Sequence, residues 1–300
     1  MPELILDALG RDELPALLAL CRETGCCGGD ADLAWLRHRT LGDPSVALDL
    51  MLAARCGDDL AGFAIGCVRG AQGVIKAFAV AGPYRRQGIA TRLLDELEAR
   101  LARRSLPTAY VGGVGPNFFA TGVSLRQMPA IALLMRRGYT TDRVARVDMQ
   151  ANLARADWDT EAQQARLASQ GIAVRRARSD EVEQVAAFAA EHFADAWRAE
   201  VLDAGHYDPP ALFVAHEGPR LIAFAAHEAL GPAYFGPTGT LSAQRSRGIG
   251  GLLLKLCLGD MRVAGHPVAR MAWAGPVDYY ARVVGAEVTD AFWCFEKPLA

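Results

Sequence analysis

No stretch of this 300-residue chain approaches the roughly 20 consecutive apolar residues that a membrane-spanning helix needs. The opening residues, MPELILDALG, place Glu3 and Asp7 where a secretory leader has a basic start and an unbroken apolar core, so no leader is expected. Excess charge of one sign is missing too: 32 Lys+Arg against 34 Asp+Glu argues against bulk binding to nucleic acid or an anionic membrane. The seven cysteines contain no C-x-x-C pair, and Cys26 and Cys27 are adjacent. That usage suits reduced thiols in the cytoplasm better than a disulfide framework. The six histidines show no H-x-x-x-H spacing, so no metal site is expected. Two nucleotide-binding signatures are absent as well: no G-x-x-x-x-G-K-[ST] loop, and no G-x-G-x-x-G with its distal acid.

What the chain does have, it has twice. RRQGIATRLLDEL (residues 85–97) and RSRGIGGLLLKL (residues 245–256) each set a glycine loop in front of a leucine-rich run. Upstream, LAARCGDDLAGFA (residues 52–64) matches FVAHEGPRLIAFA (residues 213–225) at nearly the same offset, about 160 residues. RDEL at residues 11–14 returns loosely as SDEV at residues 179–182. Matches that keep their order indicate a duplication. With 51% hydrophobic and 22% charged residues, two cores of ordinary size can be buried.

Each half reads alike. A short strand (residues 4–8; 172–176) precedes an amphipathic helix opened by an acidic turn, and two strands follow, joined through a glycine turn. A third strand runs into the glycine loop, and the helix behind it carries Ile89, Leu93, Leu94 and Leu97, or Ile249, Leu252, Leu253 and Leu256, on one face. A strand, a helix and a closing strand complete each half. The expected division is residues 1–150 and 172–300, with residues 151–171 as a linker whose TEAQQARLASQ stretch is helical and exposed. The final strands are expected in RVARVDMQ and AFWCFEK.

A strand, a glycine loop and a helix in that order make an anion site. The first turn of a helix has unpaired N–H groups at the positive end of its dipole, and glycine lets a phosphate approach the backbone closely. Arg85 and Arg86, or Arg245 and Arg247, add charge-assisted donors. The longer pattern, Arg-x-x-Gly-x-Gly/Ala, resembles the signature with which the GNAT acetyltransferase superfamily binds the pyrophosphate of acetyl-CoA. The resemblance covers both halves and implies an α/β (α+β) fold of two tandem GNAT-like domains. Each has a mixed, largely antiparallel sheet flanked by helices, an arrangement similar to that of mycothiol synthase-like proteins. It implies cofactor contacts at Val80, Arg85, Arg86, Gln87, Gly88, Ile89 and Ala90 in the first half. In the second half it implies Thr240, Leu241, Arg245, Ser246, Arg247, Gly248, Ile249 and Gly250.

The resemblance also implies direct acetyl transfer to an amine. A tyrosine of a Y-x-x-x-G-F motif protonates the leaving thiolate. WAGPVDYYARVVGAEV offers Tyr280, five residues before Gly285 instead of four, with Tyr279 as the alternative; the first half has Leu134 at that place. Chemistry is therefore expected in the second half, with Glu228 as the strand carboxylate nearest to a general base. The insertion at residues 111–129, with Phe118 and Phe119, is expected to serve domain packing before substrate contact. The expected reaction is acetyl-CoA-dependent N-acetylation of a small-molecule amine by a monomer or homodimer. A non-catalytic acyl-CoA-binding protein and a protein N-acetyltransferase are the alternatives.

Overall fold

The computed structural model describes residues 4–27, 31–155 and 158–299; Glu3 and residues 156–157 of the expected linker lie outside them. The chain divides into two compact units, residues 1–146 with 291–300, and residues 147–290.

The first unit begins with β1 (Leu4–Ala8), α1 (Leu14–Thr24), α2 (Leu33–Arg39), β2 (Met51–Cys56), β3 (Asp59–Arg69) and β4 (Gln72–Val80). It continues through α3 (Ile89–Ala102), β5 (Thr108–Val111), β6 (Val123–Ser124) and α4 (Met128–Arg136). The second unit contains β7 (Arg146–Asn152), α5 (Glu161–Ser169), β8 (Ile172–Arg176), α6 (Val182–His192), α7 (Trp197–Gly205), β9 (Leu212–Glu217), β10 (Arg220–His227) and β11 (Phe235–Thr240). After these come α8 (Ile249–Val263), β12 (Val268–Met271), α9 (Val277–Val284) and the start of β13 (Glu287–Trp293). The chain returns to the first unit for β14 (Phe295–Pro298).

Strand alternation builds two cores in each unit. Along β2, Leu52 and Ala54 face Ile89, Leu93, Leu94 and Leu97 of α3, while Met51 and Ala53 face Leu17, Leu18 and Leu36 of α1 and α2. Along β9, Phe213 and Ala215 face Leu252, Leu253 and Cys257 of α8, while Leu212 and Val214 face Val185, Ala189 and Val201 of α6 and α7. The acidic turns before α1 and α6 close alike: Glu13 accepts the N–H of Gly10 at 2.6 Å, and Glu181 that of Arg178 at 2.9 Å.

The first unit's sheet runs β1-β2-β3-β4-β5-β14 and the second unit's β11-β10-β9-β8. The terminal strands depart from the expected boundaries. β7, expected to close the first half, pairs with β12, Met149 opposite Met271. β14 pairs with β5 of the first unit, Phe295 opposite Val111. The expected linker is not a spacer either, since Leu167 of α5 is fully buried in the second unit's core.

β4 pairs in parallel with β5 only from Gly73↔Ala109 to Ile75↔Val111, and then runs on to Val80 paired with β3 alone. The splay begins at a bulge: Ile65 faces Ala77 and Gly66 faces Ile75, leaving Lys76 as the extra residue. β11 has its own irregularity, where Ala225 faces Thr238 and His227 faces Phe235. A single parallel bridge, Tyr234↔Arg270, ties that end of the unit to β12.

Candidate active site

Each splay leaves one strand edge open beside a helix start. Ala81 donates its N–H to Ala61 at 2.9 Å, so by antiparallel alternation Phe78 and Val80 turn their backbone groups to the open side of β4. Arg85 Nε, donating to the Val80 carbonyl at 3.1 Å, marks the same edge. The second unit repeats this through Leu241 N–H to Ile222 at 3.0 Å and Arg245 Nε to the Thr240 carbonyl at 3.3 Å.

The loops are alike in backbone. Arg86 and Ser246 hold φ of 66° and 65°, and Gly88 and Gly248 hold 80° and 85°. A non-glycine residue at positive φ costs on the order of 1 kcal/mol, and both loops carry one. α3 and α8 start on these glycines with no side-chain cap and no acidic residue in the first turn, among the described residues. Their first N–H groups are thereby left for an anion. Ile89 and Ile249 anchor each helix start in the core, 3% and 1% exposed; Ala90 and Gly250 are half-buried behind them.

The surroundings of the loops differ. Arg85, Arg86, Gln87 and Gly88 are all exposed, and among the described residues no heavy atom lies within 4 Å of where a Gly88 Cβ would point. In the second unit α5 lies on the loop. Gln163 Nε2 donates to the Gly248 carbonyl at 2.7 Å and Arg166 Nη2 to the Arg247 carbonyl at 2.9 Å. Arg247 is drawn to Glu217 at 2.8 Å. A Cβ on Gly250 would meet the Tyr279 hydroxyl at 3.2 Å and Thr240 Oγ1 at 3.6 Å. Gln163, Arg166 and Glu217 were not legible as site residues in the sequence.

The extra residue before Gly285 is absorbed by the helix end. Tyr139 N–H bonds the Leu134 carbonyl at 3.1 Å, whereas Ala286 N–H reaches one residue further back, to Tyr280 at 3.3 Å. Tyr280 therefore stands where Leu134 stands in the first unit. Its side chain is buried in the core with its ring edge-on to Phe235 at 6.1 Å, and burial pushes its phenol up to about 12. Tyr279 is the tyrosine whose hydroxyl reaches the loop; burial raises its phenol as well.

Glu228 is not at the loop. β10 runs antiparallel to β11, so its end lies beside Phe235, the start of β11, and not beside Thr240. Glu228 Oε2 accepts the Ala233 N–H at 3.0 Å, and Oε1 is 3.3 Å from Nε2 of His266, just beyond α8. The 15 residues of α8 separate that end from Gly248, a rise of about 22 Å. The insertion packs on its own unit: Phe119 meets Trp35 edge-on at 5.4 Å, and Arg39 and Arg69 donate to the carbonyls of Phe118 and Pro116 at 2.9 and 2.6 Å. Among the described residues no group of three or more His, Cys, Asp or Glu fits a metal ion.

Residues 19–139 match the model of the acetyltransferase (GNAT) family. Solved structures with the same fold include the GCN5-related glucosamine N-acetyltransferase region of a fungal multi-domain GH3 β-N-acetylglucosaminidase, with a TM-score of 0.80 and 19% identity. This chain covers 38% of that one, and 99% of this chain is matched. A GCN5-related N-acetyltransferase from Sphaerobacter thermophilus matches with a TM-score of 0.75 and 18% identity, over 99% of this chain and 96% of the other. A tandem GNAT protein from the clavulanic acid biosynthesis pathway matches with a TM-score of 0.72 and 17% identity, over 99% of both chains. No curated protein matches the sequence. Among the described residues no helix is long and apolar enough to cross a membrane.

Proposed function

From the premise that the chain is a tandem GNAT-fold protein, we propose that it is an acetyl-CoA-dependent N-acetyltransferase for a small-molecule amine, working at the first unit's loop. The observation that carries this reading is the uncapped, exposed start of α3 at Gly88, beside the open edge of β4. The pyrophosphate of the cosubstrate is held by the N–H groups of the loop and by Arg85 and Arg86. The thioester carbonyl lies along β4, where the N–H groups of Phe78 and Val80 meet the charge that grows on its oxygen. A neutral amine attacks the carbonyl carbon, its nitrogen gives a proton to water, the tetrahedral adduct collapses with cleavage of the C–S bond, and the thiolate leaves. With Leu134 on α4 in place of a tyrosine, water supplies the proton to the sulfur.

Sequence alone favoured the second unit because of Tyr280, whose ring instead packs on Phe235. A second reading keeps chemistry in that unit with Tyr279 as the acid, and what favours it is the Tyr279 hydroxyl beside Gly250. Thermal unfolding with coenzyme A tests the shared premise. Binding to the folded state adds about 2.7 kcal/mol at a hundredfold excess over Kd. A midpoint unmoved by saturating coenzyme A contradicts both readings.

A further inference from the structure

The end of α1 is closed by paired backbone bonds. Gly25, at φ 69°, donates to the Arg22 carbonyl at 3.3 Å, and Cys26 donates to the Cys21 carbonyl at 3.0 Å. This cap brings the side chain of the last-turn residue against that of the second residue past the helix, a contact usually made by two apolar groups. Here both are cysteines. Cys21 is fully buried and Cys26 half-buried, and the Cys26 thiol also donates to the Cys21 carbonyl at 3.6 Å. Cys27, the next residue, is half-buried as well.

The cap is tied to both sides of the first unit's site. Glu23 Oε1 accepts the N–H of Gly82 at 2.9 Å, and Gly82 opens the segment that carries Arg85 and Arg86. The Thr24 carbonyl accepts from Gln127 Nε2 at 3.2 Å, and Gln127 is the residue before α4. A covalent change at residues 21–26 therefore acts on a strap between the phosphate loop and α4.

We propose that Cys21 and Cys26 form a reversible thiol–disulfide site, oxidised by hydroperoxides, that controls this strap and through it transfer at the first unit; the effect on transfer rests on the proposed function. The half-exposed Cys26, as thiolate, attacks the O–O bond of the hydroperoxide. It takes the hydroxyl as a sulfenic acid, and the alkoxide leaves and takes a proton from water. The Cys21 sulfur then displaces hydroxide: the S–S bond forms, the S–O bond breaks, and the Cys21 thiol proton leaves with the hydroxide as water. The two sulfurs lose two electrons in all, and the O–O bond accepts them.

The full-length protein is treated with tert-butyl hydroperoxide and weighed intact. The mass should fall by about 2 Da, titratable thiols should fall by two from the seven in the chain, and dithiothreitol should reverse both. Cleavage after Arg22 leaves Cys21 and Cys26 on separate peptides, joined only by the new bond. Cys26→Ser should abolish the mass loss and Cys27→Ser should retain it. Acetyl transfer should slow at least threefold on oxidation and recover on reduction. Gain of oxygen without a disulfide, or a mass loss that persists in Cys26→Ser, overturns the site. Transfer unchanged by a fully formed disulfide overturns the control. The mass reading needs no turnover, so a disulfide formed in a protein that transfers no acetyl group would count against the proposed function and leave the thiol site standing.

Discussion

The side-chain amide of Gln163 donates a 2.7 Å hydrogen bond to the carbonyl of Gly248, tying α5 to the glycine that opens α8. Nothing comparable touches Gly88 among the described residues. Two loops of nearly identical backbone thus have different surroundings, and the assignment of transfer to the first unit follows from that difference. Replacing both Gln163 and Arg166 by alanine should cost about 1 to 2 kcal/mol of stability, since two partly exposed hydrogen bonds are lost. Urea unfolding reads that loss, and acetyl transfer should stay within about twofold of the unaltered protein.

The tyrosines separate the two readings of the site. With transfer at the first unit, Tyr279→Phe and Tyr280→Phe should each leave kcat within about twofold. A positioned general acid contributes about 10² to 10⁴-fold. A loss of that size in Tyr279→Phe alone, with coenzyme A affinity unchanged, moves the chemistry to the second unit.

The splay of β4 is braced by a buried ion pair. Lys76, the extra residue of the bulge, has its ammonium 2% exposed at 2.5 Å from the fully buried carboxylate of Asp43. Arg69 at 2.6 Å and Ser45 at 2.7 Å share that carboxylate. Lys76→Met strips Asp43 of its nearest counter-charge and should cost about 3 kcal/mol in urea unfolding. Adding Asp43→Asn should recover part of the loss, and equal stability of Lys76→Met and the unaltered protein would remove the brace from the account.

His227 should make stability depend on pH. Burial opposes its charge, but the hydrogen bond to Asp260, with Nε2 3.2 Å from Oδ2, and the nearby carboxylate of Glu228, with Oε1 3.7 Å from Nδ1, outweigh burial and lift it above its ordinary value. Arg176 faces Asp260 and His266 faces Glu228 in the same cluster. A raised folded-state pKa means that the folded state holds the proton more tightly. The contribution is therefore full below about pH 6.5, the unfolded value, and is lost as pH rises through the folded value. His216 has the opposite sense, because burial holds it below its ordinary value and it weakens the fold as pH falls under about 6.5. The thermal midpoint should fall above about pH 6.5 more steeply in the unaltered protein than in His227→Gln; parallel curves would refute the assignment.

The loops were legible because glycine, arginine and a leucine face sit in one short stretch, and each acts locally. α5 was legible as a helix but not as a part of the second site. Its composition is polar, and it reaches the loop through Gln163 and Arg166, which read as solvated surface. AFWCFEK was legible as strand, but alternation does not name a partner, and β14 pairs with β5 of the first unit. For Glu228, nearness in sequence to the strand before the loop does not say which end of that strand it reaches, and it lies beside Phe235.

The most direct measurement is transfer of radiolabelled acetyl from acetyl-CoA to a pool of small amines. The account predicts transfer by the unaltered protein, at least tenfold less by Gly88→Val, and nearly full transfer by Arg245→Glu, which alters the second loop. Valine at φ 80° strains the backbone, so Arg85→Glu, which reverses an exposed charge at the same loop, should show a similar loss with an unchanged circular dichroism spectrum. Undiminished transfer in both first-loop variants, or no transfer by the unaltered protein to any amine, would contradict the account.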